Sequence, residues 1–397
     1  MKYAFISLML LGALDPTDLD ADAADSMSGC DCNRKREKAK ADVPENTPLA
    51  PPAVTLIDTA QVAPLSNVPS LYYADGLGTD LGVSFVRDGQ LVFLFGDTNP
   101  KDPDDDCCVD SVAVTPDGAF AQRQPLEFLR KPGGGFLPLA PPGVKLKGME
   151  VPVEGVAAGP DTYVFFSTGW HDDWGRHESL ALAKTQGTDF GRLQTLWIQP
   201  SDRFINVSIV EDGNDYWIFG SGSYRLSAVY LARVPKAQLA DHSAWRYWRR
   251  DPGGAISWVA DERAASQVVP NNCVGELSVR YEPKLALYLM AYNCGTPRGV
   301  TLHTSPAPDG PWSEGVHIFD PGLHGYGKFM HVPVSFAGKD DHLSDPRREE
   351  EWGGEYGPYF VPSWTTVEWN GDVSIYYALS SWNPYHAHII RSTLRRR

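Results

Sequence analysis

Short runs rich in Val, Ile, Tyr, Phe and Trp recur along most of the chain, and each run is ended by Gly, Asp, Asn or Pro. Most runs come in pairs separated by turn residues such as Asp88-Gly89 or Asn370-Gly371, which is the pattern of β-hairpins. The predicted pairs are Gly82–Arg87 with Leu91–Gly96, Gly155–Ala158 with Tyr163–Ser167, Ile205–Val210 with Tyr216–Gly220, Leu277–Tyr281 with Ala286–Tyr292, and Phe360–Val367 with Val373–Leu379. Third strands are predicted at Ser227–Val234, Val300–Thr304 and His386–Ser392.

These five units fall between about residue 71 and residue 395. Repeated antiparallel units of three or four short strands are typical of a β-propeller. We therefore predict an all-β protein, a five-bladed β-propeller, in preference to a β-sandwich, which would not need the same hairpin signature five times. The best candidate for a helix is the short segment Lys236–Trp248.

The composition favours an uncharged ligand. The chain of 397 residues has 35 basic and 50 acidic side chains, a formal net charge of −15, together with 12 Trp and 17 Tyr. Because this charge would repel phosphate, nucleic acid is not expected as a partner. Neutral sugars fit better, since aromatic faces stack on sugar C–H groups and carboxylates accept hydrogen bonds from hydroxyls. We therefore predict a polysaccharide as the binding partner.

The N-terminal part of the chain differs from the rest. Residues 1–50 are predicted to be a signal-like leader and a disordered linker, followed by the propeller domain at 51–397. The apolar run Tyr3–Leu14 is similar to the core of a secretory signal. The sequence Met27-Ser28-Gly29-Cys30 resembles a lipoprotein lipobox, although it stands far from that run. We expect a secreted or cell-surface protein, with lipid attachment at Cys30 left open, and no membrane span, because no apolar run is long enough.

The six cysteines give weak support to export. Cys273 and Cys294 flank one predicted hairpin and could form a disulfide or remain two free thiols. A bond between the adjacent Cys107 and Cys108 would be strained, and little supports a zinc site. The acidic loop Asp102–Asp106 could hold structural calcium, but it lacks the spaced ligands of an EF-hand, so a solvated loop is preferred. We predict that no cofactor is required and assign no metal ligand.

Two aspartates stand at the ends of the first predicted hairpin. Asp80 precedes the outgoing strand, within Gly78-Thr79-Asp80-Leu81-Gly82, and Asp97 follows the returning strand, within Phe95-Gly96-Asp97-Thr98. Because a hairpin brings these ends together, we expect the two carboxyl groups to be neighbours at one rim. Like charges held close raise at least one pKa, so that one carboxyl can act as an acid while the other stays ionised. Both could instead only cap turns, as Asp commonly does.

Five further residues are predicted to bind the substrate: Glu276, His331, Tyr359, Trp382 and Asn383. Glu276 begins the fourth unit as Asp80 begins the first, and equivalent positions of propeller blades converge on the mouth of the channel. The alternative for Glu276 is an ordinary ion pair with an arginine such as Arg280. Trp382 and Asn383 offer a stacking face and an amide to a sugar ring. Each of these aromatic and polar residues could instead pack between blades.

Taken together, these motifs resemble the domain-of-unknown-function family 4185, whose members include endo-D-arabinanases grouped as glycoside hydrolase family 183. The motifs that carry the resemblance are Gly78-Thr79-Asp80-Leu81-Gly82, Phe95-Gly96-Asp97-Thr98, Gly275-Glu276-Leu277-Ser278-Val279, Gly310-Pro311-Trp312-Ser313, Tyr356-Gly357-Pro358-Tyr359 and Ser380-Ser381-Trp382-Asn383-Pro384-Tyr385. The resemblance extends from about Leu71 to Leu394. It implies a five-bladed propeller that hydrolyses α-linked D-arabinofuranose chains, such as those of mycobacterial arabinogalactan and lipoarabinomannan. It also places the paired acids of the family on Asp80 and Asp97.

The leading hypothesis is therefore a secreted glycoside hydrolase that cuts within an arabinofuranose-containing polysaccharide. One of Asp80 and Asp97 would protonate the leaving oxygen, and the other would activate water or attack the anomeric carbon. The alternative is a non-catalytic carbohydrate-binding propeller that keeps the contacts of Trp382, Asn383 and Tyr359. A calcium-stabilised surface scaffold is a third, weaker option.

Overall fold

The computed structural model describes residues 47–66, 78–98, 109–118, 125–146, 149–171, 176–343 and 348–397. Within these ranges the strands form five antiparallel sheets, and the first strands of neighbouring sheets touch one another around a closed ring. The five-bladed β-propeller predicted from the hairpin repeats is therefore confirmed. The leader, Cys30, the acidic loop Asp102–Asp106 and the pair Cys107-Cys108 lie outside the described residues.

Each blade is built from strands that follow one another along the chain. The strands are β1 (Val54–Pro64), β2 (Leu81–Arg87), β3 (Gln90–Thr98), β4 (Val109–Pro116), β5 (Glu127–Phe128), β6 (Pro152–Ala158), β7 (Asp161–Thr168), β8 (Ser179–Gln186), β9 (Gln194–Pro200), β10 (Asn206–Asp212), β11 (Asp215–Ser221), β12 (Ser227–Pro235), β13 (Arg246–Arg250), β14 (Ile256–Val259), β15 (Gln267–Val274), β16 (Leu277–Glu282), β17 (Leu287–Gly295), β18 (Arg298–Ser305), β19 (Val316–Phe319), β20 (Glu355–Val367), β21 (Val373–Ser381) and β22 (His386–Arg396). The described helices are α1 (Pro321–His324), α2 (Val334–Ala337) and the single-turn 3-10 segments Phe190–Arg192, Lys236–Gln238, His242–Ala244 and Glu262–Ala264.

The blades follow the chain order except at the closure of the ring. Blade 1 is β2-β3-β4-β5, blade 2 is β6-β7-β8-β9, blade 3 starts with β10-β11-β12, and blade 4 is β16-β17-β18-β19. Blade 5 has the order β20-β21-β22-β1, so the N-terminal strand β1 forms its outer edge. Its pairing with β22 runs from Val54 opposite Arg396 to Pro64 opposite His388. The first and the last strand of the described residues therefore pair in the same blade.

Side chains of the inner strands β2, β6, β10 and β16 link neighbouring blades. These strands belong to different sheets, so part of their backbone must find partners outside its own ladder. Ile209 N donates to Glu154 Oε2 at 2.9 Å, Val279 N donates to Ser208 Oγ at 2.9 Å, Phe360 N donates to Ser278 Oγ at 3.0 Å, and Ser84 Oγ donates to Phe360 O at 3.2 Å. These hydrogen bonds connect equivalent positions of neighbouring inner strands. The residues that precede the inner strands therefore lie at the same rim of the channel.

The expected helix over Lys236–Trp248 is wrong. The segment consists of the two single 3-10 turns and then strand β13, which pairs with β12 and β14. The first 3-10 turn does not continue into a helix. Asp241 instead caps the second turn, because its side chain accepts a hydrogen bond from Ser243 N at 3.0 Å. Tyr247 and Trp248 are adjacent in β13 and are both buried, in two different hydrophobic clusters, as side chains that point to opposite faces of a strand are.

A disulfide joins Cys273 and Cys294, with their Cα atoms 5.1 Å apart, so the first of the two alternatives for these cysteines is correct. Cys273 lies in β15, which pairs with β12 of blade 3, and Cys294 lies in β17 of blade 4. The bond therefore fastens two blades together. No helix among the described ranges combines the length and the apolar character that crossing a membrane requires.

Candidate active site

Asp80 and Asp97 meet at two β-bulges in blade 1. The pairing of β2 with β3 slips between Leu81 and Val83, and the pairing of β3 with β4 slips between Phe95 and Asp97. Gly82 and Gly96 are the extra residues, and bulges of this kind re-aim the side chains beside them. Gly96 N donates to Asp80 O at 3.2 Å, which joins the two aspartate-bearing strand ends directly.

Gly96 is required for this approach. A Cβ atom at position 96 would lie 2.3 Å from Asp80 Oδ1, far inside contact distance. The carboxyl group of Asp80 therefore rests on the bare backbone of β3, immediately before Asp97. The two aspartates are close neighbours at one rim of the channel, as the hairpin argument expected.

Three hydroxyl side chains stabilise the strand ends that carry the aspartates, from the opposite face of the sheet. Thr79 Oγ1 and Thr98 Oγ1 are 2.8 Å apart, and Thr98 Oγ1 is 2.6 Å from Ser111 Oγ. All three side chains are buried. Because each is adjacent in sequence to an aspartate, this hydroxyl chain holds the three backbone segments that carry the carboxyl groups.

Asp80 is half-buried and is held by two tyrosines of blade 5. Tyr356 Oη donates to Asp80 Oδ2 at 2.9 Å, and the hydroxyl of Tyr385 makes a second hydrogen bond to the carboxyl group. Asp80 Oδ1 is enclosed and has no hydrogen-bond partner. Burial, and after it the charge of Asp97, raise the pKa of Asp80 from 3.8 to about 7, although the tyrosine hydroxyls work in the opposite direction. A large fraction of this carboxyl is therefore protonated at neutral pH.

Asp97 lies at the end of β3, directly opposite Asp110 of β4. Its side chain is half-buried, and its charge contributes to the raised pKa of both Asp80 and Asp110. Two neighbouring carboxyl groups, one of which has a raised pKa, are an arrangement that acid–base catalysis uses.

Two further acidic residues, Asp110 and Glu150, belong to this corner; from the sequence, Asp110 was considered only as a neighbour of the acidic loop Asp102–Asp106, and Glu150 was not considered. Both are buried, and Trp170 N donates to Glu150 Oε1 at 3.0 Å. Glu150 precedes the inner strand β6 by two residues, much as Asp80 precedes β2, so a comparison of strand starts could have found it. Asp110 could have been found by extending the hairpin register from Asp97 to the third strand.

Glu276 precedes inner strand β16 as predicted and lies at the same rim. It is half-buried, Gly357 N donates to its Oε2 at 3.4 Å, and burial raises its pKa while the nearby charge of Arg225 opposes the shift. The alternative ion pair with Arg280 does not form, because Arg280 Nη2 bonds Glu282 Oε2 at 2.7 Å. Glu276 also adds to the negative charge around Asp80.

Tyr359 is buried in the channel wall rather than exposed as a stacking face. It lines a cavity of about 330 Å³ formed by the second halves of the inner strands, together with Glu154, Ser208 and Arg280. Asp80, Asp97 and Glu276 do not line this cavity, because they lie at the opposite end of the inner strands. Residues 67–77 and 99–108, which adjoin the aspartates in sequence, lie outside the described residues.

The side chains of Trp382 and Asn383 make structural contacts within the protein, which corrects the expectation that they bind a sugar. Trp382 Nε1 donates to Glu351 Oε2 at 3.2 Å, and its ring is covered by the guanidinium of Arg348 at 4.9 Å and by Tyr385 at 5.7 Å. The amide of Asn383 donates to Arg348 O at 3.0 Å and to Glu351 O at 2.8 Å. Both side chains are buried, so neither the ring nor the amide nitrogen is available to a ligand.

His331 has an internal role as well, again against expectation. It is fully buried, its Nδ1 is 2.9 Å from Asp341 Oδ1, and its Nε2 is 2.9 Å from Glu349 O. With both ring nitrogens used, it links Asp341 and Glu349, two residues of the connection between β19 and β20. Within the described ranges, no group of three or more His, Cys, Asp or Glu side chains is arranged to hold a metal ion.

Comparisons with known proteins give a family and a fold. Among solved structures, a putative hydrolase from Bacteroides ovatus ATCC 8483 matches with a TM-score of 0.53 and 13% identity, over 85% of this chain and 95% of that chain. An α-L-arabinofuranosidase from Podospora anserina matches with a TM-score of 0.47 and 11% identity, over 87% and 98%. A GH43_1 enzyme from Xanthomonas citri matches with a TM-score of 0.44 and 14% identity, over 85% and 90%. The first likeness shows the propeller fold alone, and the other two are too loose to carry an argument.

No curated protein sequence matches the chain significantly. The family model described as "Domain of unknown function (DUF4185)", in contrast, matches residues 75–391. This range includes Asp80, Asp97, Asp110, Glu276 and both tyrosines that hold Asp80. Since the match covers most of the sequence, the chain belongs to the DUF4185 family.

Proposed function

We propose that the chain is a glycoside hydrolase that cuts arabinofuranosidic linkages within a polysaccharide, with D-arabinan as its substrate. The observation that carries the proposal is the pair of carboxyl groups at the blade 1 rim. Asp80 is pressed against β3, and its pKa is raised to about 7 by burial and by the charge of Asp97. Glycosidases use such a pair, in which one carboxyl holds a proton and its neighbour is ionised.

The raised pKa of Asp80 supports the following assignment of roles. Asp80 donates its proton to the glycosidic oxygen as the bond from that oxygen to the anomeric carbon breaks. Asp97 is the carboxylate: it either takes a proton from the water that attacks the anomeric carbon, or it attacks that carbon itself. In the second route water then hydrolyses the glycosyl ester, and Asp80, now ionised, removes the proton from that water. Both routes consume one water for each bond that is cut.

The surroundings of the pair favour a neutral substrate. Glu150 and Glu276 add acidic groups around Asp80 and Asp97, so a polyanionic chain would be repelled. The resemblance to endo-D-arabinanases narrows the neutral polysaccharide to D-arabinan. A cell-wall polysaccharide lies outside the cytoplasm, which agrees with the export that the N-terminal apolar run predicts.

The alternative, a carbohydrate-binding propeller without catalysis, loses its main support. It depended on Trp382, Asn383 and Tyr359 as sugar contacts, and all three are buried in contacts within the protein. A protein that only binds carbohydrate also has no need of a carboxyl group with a raised pKa next to a second carboxyl group.

A panel of polysaccharides tests the proposal. The protein is incubated with D-arabinan, L-arabinan and galactan, and products are followed by the release of reducing ends and by mass spectrometry. We expect a series of pentose oligosaccharides from D-arabinan and none from the other two. Binding to D-arabinan without fragments would support the carbohydrate-binding alternative, and fragments from galactan instead would overturn the substrate assignment.

A further inference from the structure

Asp110 takes no part in the proposed mechanism, yet burying its carboxyl group is energetically unfavourable. It is the second residue of β4, and its side chain is only 5% exposed. Asp110 Oδ2 is enclosed and has no hydrogen-bond partner. Burying an ionised carboxyl without partners costs several kcal/mol or more, so such groups are kept neutral or are paired.

Among the described residues, the charged groups that act on Asp110 are all acidic. Asp97 stands directly opposite it across the β3–β4 pair, where side chains share one face with Cβ atoms about 4.5–5.5 Å apart. Asp80, which precedes β2, and Glu150, which precedes β6, are the other charged groups that act on it. Burial and these three charges raise the pKa of Asp110 well above its ordinary value. Two carboxyl groups that interact strongly titrate as a coupled pair.

We propose that Asp110 is a positioning residue for Asp97: its carboxyl stays protonated across the strand pair and donates to the carboxylate of Asp97. The proposal rests on the proposed function, because it deepens the account of the same catalytic corner. A neutral donor at this place holds the Asp97 carboxylate in one orientation toward the substrate. It also keeps a third negative charge away from the acid–base pair, so Asp97 can remain ionised beside Asp80.

Two variants separate positioning from packing. Asp110→Asn keeps a donor in nearly the same shape and cannot ionise, whereas Asp110→Val keeps the shape without the donor. We expect kcat on D-arabinan to stay within about threefold of wild type for Asp110→Asn and to fall about tenfold or more for Asp110→Val, with KM little changed in both. Asp117→Asn, an exposed aspartate just beyond β4, is the matched control and should behave as wild type. Equal losses in the two Asp110 variants, or a loss of stability alone, would overturn the proposal.

The protonation of Asp110 has a readout that needs no activity. Infrared difference spectra between wild type and Asp110→Asn at pH 8 should show one protonated carboxyl band that only the wild type has. Asp117→Asn should leave that band in place. If the wild type lacks the band, Asp110 is ionised and the inference fails, whatever the enzyme does. If the wild type cuts no polysaccharide while the band is present, the proposed function fails and the protonation of Asp110 stands.

Discussion

Tyr356 of blade 5 donates a hydrogen bond of 2.9 Å to Asp80 Oδ2 of blade 1, so the candidate acid is held across the closure of the ring. The bond favours the ionised form of Asp80 and lowers its pKa against the effect of burial. A residue of blade 5 therefore lowers the pKa of a carboxyl group in blade 1.

Tyr356→Phe should raise the pKa of Asp80, because the ionised form loses a donor. We expect the alkaline limb of the pH–rate profile for D-arabinan cleavage to move up by about one pH unit. Tyr377→Phe is the control: it removes a buried hydroxyl of the same blade that contacts Ser392 at 3.1 Å and should leave the limb where it is. A limb that moves to lower pH in Tyr356→Phe would contradict the assignment of Asp80 as the acid.

Gly96→Ala should abolish most activity while the propeller still folds. The new Cβ would lie 2.3 Å from Asp80 Oδ1 and would push the carboxyl group out of place. We expect kcat to fall about 100-fold or more, since small displacements of a reacting group cost that much. Gly295→Ala, at a strand glycine with open space around it, serves as the comparison. Retained activity in Gly96→Ala would show that the contact between Asp80 and β3 is not needed.

Stability should decline as the pH rises toward and above neutrality. Burial raises the pKa of Glu154 to about 7, as it does for Asp80, and such a carboxyl binds its proton more tightly in the folded protein. Its contribution is therefore complete below the unfolded value near 4.5 and is lost as the pH rises through about 7. For Glu154 the loss is about 3 kcal/mol at most. Between pH 4 and 6.5 the buried histidines with lowered pKa values, such as His177 and His386, gain stability as the pH rises. Melting temperatures are therefore compared between pH 6.5 and 8.5, where they should fall less steeply in Glu154→Gln, and an unchanged slope would count against this effect.

Removing the disulfide should destabilise the junction of blades 3 and 4. The bond closes a loop with a sequence separation of 21, for which the entropic contribution to stability is about 3 kcal/mol. The double variant Cys273→Ser/Cys294→Ser should lose about this much in denaturant unfolding. Reductant should reproduce the loss in the wild type and leave the double variant unchanged. No effect in either experiment would mean that the bond contributes little.

The fold could be predicted because its units are local. Each hairpin is encoded by apolar runs and a turn that lie within one stretch of sequence, and the same signature occurs five times. Strand β1 was not among the predicted strands because its partner, β22, lies at the far end of the chain. The sequence of Lys236–Trp248 does not predict strand β13, because two adjacent residues of the strand are buried and the polar–apolar alternation of a strand is absent.

The residues of the site, like the strands, could be predicted where their contacts are local in sequence and not where they are long-range. Asp80 and Asp97 were found because a single hairpin joins them, but the tyrosine that holds Asp80 is 276 residues away along the chain. Trp382 and Asn383 have side chains that suit a sugar, yet contacts with Arg348 and Glu351 occupy them. Residue type alone could not distinguish a residue that binds a ligand from one that fastens the segment 320–354 to blade 5.

The most direct test of the central claim is the rate of reducing-end release from D-arabinan by Asp80→Asn and Asp97→Asn, each compared with wild type and with Asp117→Asn. Both substitutions keep the size of the side chain, so the melting temperatures should stay near or above the wild-type value. We predict that each of the two variants loses about 10²–10⁴-fold in kcat while Asp117→Asn retains full activity. Full activity in either Asp80→Asn or Asp97→Asn would remove that carboxyl group from the chemistry and contradict the account.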